Sequence, residues 1–180
     1  MSVMWLHAGH MQNRTATSDP SATAAVSWAR CAQEAPELAR AVRARLEWTK
    51  HHVLATLRVD GSPRVSGTEV VFFGDDLCLG SMWQARKARD LQRDGRCAVH
   101  SNPGSPEMEG GDAKLSAVAV ELSGAERDTF RAQVEVPPGP FHLFRLELTD
   151  VVHTALHPDG DRMVVRLWRP GRGVTTVERA

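Results

Sequence analysis

A strand end runs into a short basic helix at Gly80-Ser81-Met82-Trp83-Gln84-Ala85-Arg86-Lys87-Ala88-Arg89-Asp90-Leu91-Gln92-Arg93-Asp94. Apolar residues recur there at helical spacing after position 84, which predicts a helix behind the strand. Arg86, Lys87 and Arg89 lie in or near its first turn, where the helix dipole is positive, whereas Asp90 and Asp94 lie towards its negative end. Each such placement costs roughly a few tenths of a kcal/mol.

A bound anion at this helix would reverse the sign of that cost. The free N–H groups of the first turn, the Ser81 hydroxyl and the side chains of Arg86 and Lys87 could then converge on a phosphate. The stretch therefore predicts a phosphate site at the start of the helix. The charge pattern leaves one alternative open, a solvated basic helix without a ligand.

The composition is that of a soluble globular protein. The chain has 180 residues, of which 42% are hydrophobic and 24% charged, and its formal net charge is zero. This length suffices for one domain with a core. Zero net charge gives no basic field for nucleic acid or an anionic membrane, and no apolar run approaches the roughly 20 residues of a membrane span. We expect neither nucleic acid nor a membrane as a partner.

The cysteines and the first residues favour a cytoplasmic protein. Cys31, Cys78 and Cys97 are odd in number and far apart, which argues against a disulfide framework or a zinc ribbon. Residues 1–7 lack the basic and apolar regions of a signal peptide. The eight histidines show no ligand spacing such as H-x-x-x-H, so we expect no metal site.

The pattern along the chain predicts a leader and one domain. Residues 1–34 are rich in Ser, Thr and Ala and show no sustained period, which is typical of disorder, with at most a short helix near Ala22–Gln33. Residues 35–180 are predicted to form the folded domain. It begins with apolar residues four positions apart, which predict an amphipathic helix over 36–50.

Beyond His52 the apolar period changes from helical to two, which predicts β-structure. Strands are predicted over 53–59, 64–73, 77–82, 96–101, 114–122, 141–156 and 163–168, with a short final strand at 174–177 and a helix over 125–134. About six to seven strands with a few short helices predict a mostly β fold. Their short spacing favours an antiparallel barrel over a parallel α/β sheet.

Short segments from two hairpins and a helix carry a further signal. They are Pro63-Arg64-Val65-Ser66, Gly80-Ser81, Arg86-Lys87-Ala88, Asp161-Arg162-Met163-Val164 and Trp168. In this order and spacing they resemble the pyridoxamine 5'-phosphate oxidase-like family, which is also called the flavin or deazaflavin split β-barrel family. The resemblance covers the chain from about residue 36 to its end.

The resemblance implies a split β-barrel homodimer that binds FMN, or alternatively the deazaflavin coenzyme, in a groove between subunits. By position, it implies these cofactor-binding residues: Arg64, Val65, Ser66, Gly67, Gly80, Ser81, Arg86, Lys87 and Arg162. Arg86 and Lys87 would hold the phosphate, in agreement with the charge pattern of the helix. Trp83 beside them could cover the ring or serve packing.

One departure from the family pattern bears on the activity. The vitamin B6 oxidases carry Arg-Leu-His before the Asp-Arg of the last hairpin, whereas this chain reads Pro158-Asp159-Gly160 there. We therefore expect an oxidoreductase that transfers hydride between its cofactor and an unknown small molecule, and not a true pyridoxine phosphate oxidase. No catalytic side chain is identified. The alternative is a non-catalytic protein that binds or carries a flavin, haem or a tetrapyrrole.

Overall fold

All nine strands of the described residues belong to one antiparallel sheet. The computed structural model describes residues 25–104 and 108–180. Within them the elements are α1 Trp28–Glu34, α2 Pro36–Glu47, β1 His52–Leu57, β2 Pro63–Thr68, β3 Val70–Phe73, β4 Asp76–Met82, α3 Arg86–Arg93, β5 Arg96–His100, β6 Asp112–Leu122, α4 Gly124–Gln133, β7 Phe141–Leu156, β8 Met163–Arg169 and β9 Gly173–Arg179. All strand pairs among them are antiparallel. The predicted mostly β, antiparallel architecture is confirmed.

The strand order explains how the sheet becomes a split barrel. The hydrogen-bonded order is β2-β1-β5-β6-β7-β4-β3, and β8 and β9 extend it from β7. The strands at its two ends, β2 and β3, are separated in sequence by Glu69 alone. Because one residue joins the two ends, the sheet must curl back on itself, although β2 and β3 do not pair with each other.

This arrangement also corrects the predicted number of strands. The single strand predicted over 64–73 is two strands, because β2 pairs with β1 whereas β3 pairs with β4. That split and the final strand β9 raise the count in the described residues from the predicted six or seven to nine.

The 16-residue strand β7 connects the two halves of the sheet. Its first part, Phe141–Arg145, pairs with β4, and its last part, Val151–Leu156, pairs with β8. Along its length it pairs with β6, with a register shift between Ser116 and Ala117. Strands β8 and β9 form a C-terminal arm at the edge of the sheet, in which β8 pairs with β7 on one side and with β9 on the other, and every residue of β9 is exposed.

Helix α2 covers the barrel as its periodicity predicts. Pro36 occupies the first turn, where a missing N–H costs nothing. Leu38, Val42 and Leu46 are buried in the main core, and the helix ends at Glu47 rather than at the predicted residue 50. No helix of the described ranges combines the length and the apolar character that crossing a membrane requires.

Helix α1 corrects the predicted domain boundary. The Ser27 hydroxyl caps it by accepting a hydrogen bond from the Arg30 N–H, and Trp28 and Cys31 are buried in the same core as α2. The Trp28 ring packs edge-on against Phe72, with ring centroids 4.8 Å apart. Assigning residues 25–34 to a disordered leader is therefore wrong, and the helix predicted near Ala22–Gln33 corresponds to α1. The rest of the predicted leader, residues 1–24, lies outside the described residues.

We expect Trp28→Ala to lower the free energy of unfolding by about 3–5 kcal/mol, because it removes a large buried side chain and leaves a cavity. Urea unfolding followed by circular dichroism measures this change. Val59→Ala is the control, because Val59 is 84% exposed and should change stability by less than about 0.5 kcal/mol. An equally small effect of Trp28→Ala would show that α1 does not belong to the folded unit.

Candidate functional site

A cleft of about 330 Å³ lies between β2, β4, the start of α3 and the segment after α4. Its polar end is formed by Gly67, Gly80, Ser81 and Lys87, four of the nine residues that the resemblance implies. Its other wall is apolar and is formed by Val71, Phe130, Val134, Val136, Pro137 and Phe141. The sequence did not identify this apolar wall.

Ser81 and Lys87 form the polar end of the cleft. Ser81 is 6% exposed, and its Oγ has no hydrogen-bond partner among the described residues. A buried hydroxyl without a partner is costly. Lys87 Nζ donates a hydrogen bond to the Gly67 carbonyl at 2.7 Å, and burial lowers the pKa of the lysine, although Glu69 partly opposes this. The site therefore holds one unpartnered hydroxyl and one half-buried cation, and the carboxylates of Glu69 and Glu135 line the same cleft.

The two glycines keep the floor of the cleft open. A Cβ built at Gly67 or Gly80 would meet no atom within 4 Å, although both residues line the cleft. A side chain at either position would thus extend into the free space of the cleft. Glycine there allows a flat ligand to approach the backbone of β2 and β4 closely.

Helix α3 begins at this polar end, as predicted. Its N-cap residue, Ala85, makes no side-chain capping bond, and its first turn holds no acidic residue. Backbone N–H groups of the first turn therefore lack an intrahelical or side-chain acceptor. Arg86 is exposed and does not line the cleft. Of the two residues predicted to hold the phosphate, only Lys87 lines the cleft.

The two acidic residues in and just after α3 form ion pairs with nearby arginines. The buried Asp90 carboxylate pairs with Arg64 Nε at 2.6 Å and with Arg93 Nη1 at 3.3 Å, and it accepts a hydrogen bond from Thr56 Oγ1 at 3.0 Å. Asp94 pairs with Arg96 at 2.6 Å. These ion pairs offset the unfavourable position of Asp90 and Asp94 near the negative end of the helix dipole. The basic residues of the first turn have no such explanation within the described residues.

This network also determines what the predicted residues of β2 can do. The Arg64 guanidinium bonds Asp90 through Nε, which holds this side chain against α3. Val65 is 70% exposed, and Ser66 has a buried hydroxyl without a partner in the described residues. Neither Val65 nor Ser66 lines the cleft.

Arg162 lies far from the cleft of its own chain. The cleft includes Phe141 at the start of β7, whereas Arg162 follows the end of that strand at Leu156. A strand rises about 3.3 Å per residue, so β7 separates the two by tens of ångströms. Arg162 pairs instead with Glu178 at 2.7 Å and with Asp161 at 2.6 Å.

The hairpin around Arg162 holds the one group in the described residues with the geometry of metal ligands, formed by His157, Asp159 and Asp161. The guanidinium of Arg162 already occupies this group. Its Nη2 lies 2.8 Å from His157 Nε2, and its Nη1 pairs with both carboxylates. The cluster is therefore an ion-pair network around an arginine.

Buried cysteines supply no nucleophile to the site. Burial raises the pKa values of the Cys31, Cys78 and Cys97 thiols to about 12. The thiolate is the reactive form of cysteine, so at neutral pH all three behave as small hydrophobic residues.

The structure also shows a cluster beside the cleft that the sequence did not identify. His142 of β7 lies opposite Ser81 of β4 in the sheet register. Its Nδ1 lies 2.6 Å from Glu121 Oε1, and its Nε2 accepts a hydrogen bond from the Gln84 N–H at 3.1 Å. The Trp83 ring stacks on the imidazole at 4.6 Å and an interplanar angle of 10°. In this chain, Trp83 thus packs on His142.

Comparison with known proteins identifies the fold. No family model and no curated protein matches this chain. Among solved structures, it resembles PhzG from Burkholderia lata 383 in complex with tetrahydrophenazine-1-carboxylic acid, with a TM-score of 0.55 and 21% identity over 79% of this chain and 87% of that one. It also resembles a pyridoxamine 5'-phosphate oxidase-related, FMN-binding protein from Nostoc punctiforme PCC 73102, with a TM-score of 0.57 and 13% identity over 81% and 96%. This chain has the split β-barrel fold of the pyridoxamine 5'-phosphate oxidase-like proteins.

We expect Asp90→Asn to lower the free energy of unfolding at pH 7 by roughly 3 kcal/mol, because it leaves Arg64 without its counter-charge. Burial raises the pKa of Asp90, but the bonds from Arg64, Thr56 and Arg93 outweigh it, so the pKa is lowered in the folded state. The stabilisation is thus present above the ordinary aspartate pKa of about 4 and is lost as the pH falls through the lowered value.

Urea unfolding of both proteins between pH 3 and pH 7 measures this difference. Glu37→Gln is the control, because both side chains of the Glu37–Arg40 pair are more than 70% exposed and such pairs contribute little. A difference between wild type and Asp90→Asn that does not shrink below about pH 4 would contradict the assignment.

Proposed function

We propose that this chain is a flavin- or deazaflavin-dependent oxidoreductase, with FMN as the first candidate cofactor and the deazaflavin coenzyme as the second. The observation that carries the proposal is the pairing of an unpartnered buried hydroxyl, Ser81, with the half-buried ammonium of Lys87 at one end of a cleft. The uncapped start of α3 adjoins them. Donors of these three kinds together suit a phosphate.

The remaining features of the cleft suit a flat ring attached to that phosphate. Gly67 and Gly80 leave the strand backbones open to a planar group. The opposite wall, which includes Phe130 and Phe141, offers apolar contact. A cleft that joins the Lys87 ammonium and the Ser81 hydroxyl to an apolar wall suits a molecule that joins a phosphate to a flat apolar ring.

When bound, the cofactor supplies the hydride transfer itself, so the chain needs no nucleophile. The Ser81 hydroxyl and the Lys87 ammonium would bind and orient the phosphate. The apolar wall would exclude water, and the lower dielectric constant would strengthen the attraction between Lys87 and an anion. The Arg64–Asp90 pair would keep α3, and with it Lys87, in place during turnover.

The similarity to an FMN-binding protein and to PhzG in complex with a phenazine supports the proposal through the shared fold. The hairpin at Pro158-Asp159-Gly160 argues against a pyridoxine phosphate substrate. The hairpin lacks the Arg-Leu-His that the vitamin B6 oxidases carry at these positions. The proposed substrate is therefore a small molecule other than pyridoxine phosphate.

We further propose that the chain acts as a homodimer. Val53 and Val65 on β1 and β2 are exposed, and a second chain on this face would bury them. Arg162 does not reach the cleft of its own chain. In a dimer it could contact the cofactor in the cleft of the partner subunit. Light scattering on the purified protein would then give the mass of two chains.

We expect Lys87→Ala to weaken binding of FMN or the deazaflavin coenzyme, whichever binds wild type more tightly, by at least about tenfold, the loss of one charge-assisted bond. Fluorescence titration with each cofactor measures the affinity. Because burial lowers the pKa of Lys87 below its ordinary 10.5, wild-type affinity should also fall as the pH rises through that lowered value.

Arg40→Ala provides the control for this titration. The Arg40 side chain on α2 is 72% exposed and does not line the cleft, so its loss should leave the affinity unchanged. Equal affinities of wild type and Lys87→Ala would remove the site assignment.

We expect the protein reduced with its cofactor under anaerobic conditions to be reoxidised by some small electron acceptors and not by others. Absorbance at the cofactor band, followed after addition of each acceptor, measures the rate. Free cofactor at the same concentration is the control. Rates that never exceed those of the free cofactor would indicate a binding or carrier protein.

A further inference from the structure

The turn between β4 and α3 has an unusual backbone. The Ala85 N–H closes it by donating to the Met82 carbonyl at 3.1 Å. Its third residue, Gln84, has φ 58°. A positive φ at this position of a turn normally selects glycine or asparagine. Something outside the turn must therefore compensate for glutamine there.

The imidazole of His142 bonds the backbone of the turn, while the Gln84 side chain accepts a hydrogen bond from Arg89 Nη2 of α3 at 3.1 Å. His142 is 4% exposed, and its Nε2 accepts the Gln84 N–H at 3.1 Å. Because Nε2 accepts, the neutral ring carries its proton on Nδ1, which donates to Glu121 Oε1 at 2.6 Å. Burial raises the pKa of Glu121, but hydrogen bonds from His142 and Gln92 outweigh it and lower the pKa, so the acceptor is a carboxylate at neutral pH.

The turn held in this way leads directly into the proposed phosphate site. Met82 at its start lines the cleft, as does Lys87 two residues beyond its end. Ala85 at its end is the N-cap residue of α3. A change in the Gln84 backbone would therefore redirect the first turn of α3 and displace Lys87, and binding sites tolerate only about 0.5 Å of such displacement.

We propose that His142 is a positioning residue: it holds Gln84 in the left-handed conformation and thereby sets the start of α3 for binding the cofactor phosphate. Binding of the cofactor phosphate rests on the proposed function, whereas the role of His142 in holding the Gln84 backbone does not. Glu121 acts through His142, because it keeps the imidazole in the tautomer that can accept the Gln84 N–H.

Two variants that differ by one methylene test the hydrogen bond. In His142→Gln the amide oxygen stands as many bonds from Cβ as Nε2 does and can accept the Gln84 N–H, whereas in His142→Asn it falls one bond short. Both lose the stacking with Trp83 equally. We expect His142→Asn to weaken FMN binding by at least about tenfold and His142→Gln by less than about threefold. Riboflavin, which lacks the phosphate, should bind the two variants alike.

A double-mutant cycle with Gln84→Gly separates positioning from packing. Glycine adopts a positive φ without help, so Gln84→Gly should restore much of the FMN affinity lost in His142→Asn. If His142 only packs against its neighbours, the two changes add. Additive effects, or equal FMN affinities of the Asn and Gln variants, would overturn the proposal. If His142→Asn does not fold, recovery of folding by Gln84→Gly supports it and failure to recover overturns it.

The same cycle separates this inference from the proposed function. If wild type binds neither FMN nor the deazaflavin coenzyme, the proposed function fails, and the cycle is measured as the free energy of unfolding of the free protein. Coupling between positions 84 and 142 then supports the role of His142 in holding the turn. Additivity overturns it.

Discussion

One buried carboxylate, Asp90, fixes helix α3 against the barrel. It is bonded to Thr56 of β1, to Arg64 of β2 and to Arg93 of its own helix. Separating a buried charge from its partners is costly, so α3 can neither rotate nor slide on these strands. The first turn of α3 is consequently held at the cleft, and the geometry at Ser81 and Lys87 depends on that contact.

Much of the fold could be predicted, because its long elements show a clear period. Helix α2 buries residues about four positions apart and strand β6 buries alternating residues, each over ten or more positions. Helix α1 could not be found in this way, since its seven residues bury only Trp28 and Cys31. The sequence also did not predict that residues 64–73 form two strands, because Glu69 alone separates β2 from β3 and is not a residue typical of turns.

The site was predictable where its residues are adjacent in sequence. The Gly80-Ser81 strand end and Lys87 lie within eight residues, and the charge of that stretch already indicates an anion. The same charge pattern also indicated Arg86, which is exposed and does not line the cleft, because sequence alone does not show which side chains of a helix face a cleft. Arg64 bonds Asp90, 26 positions away, and His142 bonds Gln84, 58 positions away. Contacts between residues so far apart in sequence form only when the sheet folds, so the sequence did not predict them.

The C-terminal arm is supported differently from the barrel. Glu34 of α1 accepts hydrogen bonds from Trp168 Nε1 at 3.2 Å and from the Gly171 N–H at 3.4 Å, which anchors the base of the arm. Strand β9 beyond it is exposed throughout and, among the described strands, pairs only with β8. An exposed edge strand that is held by one ladder of hydrogen bonds and buries no side chain opens at low free energy. Fraying of β9 therefore precedes cooperative melting of the barrel, and amide hydrogens there exchange through local opening.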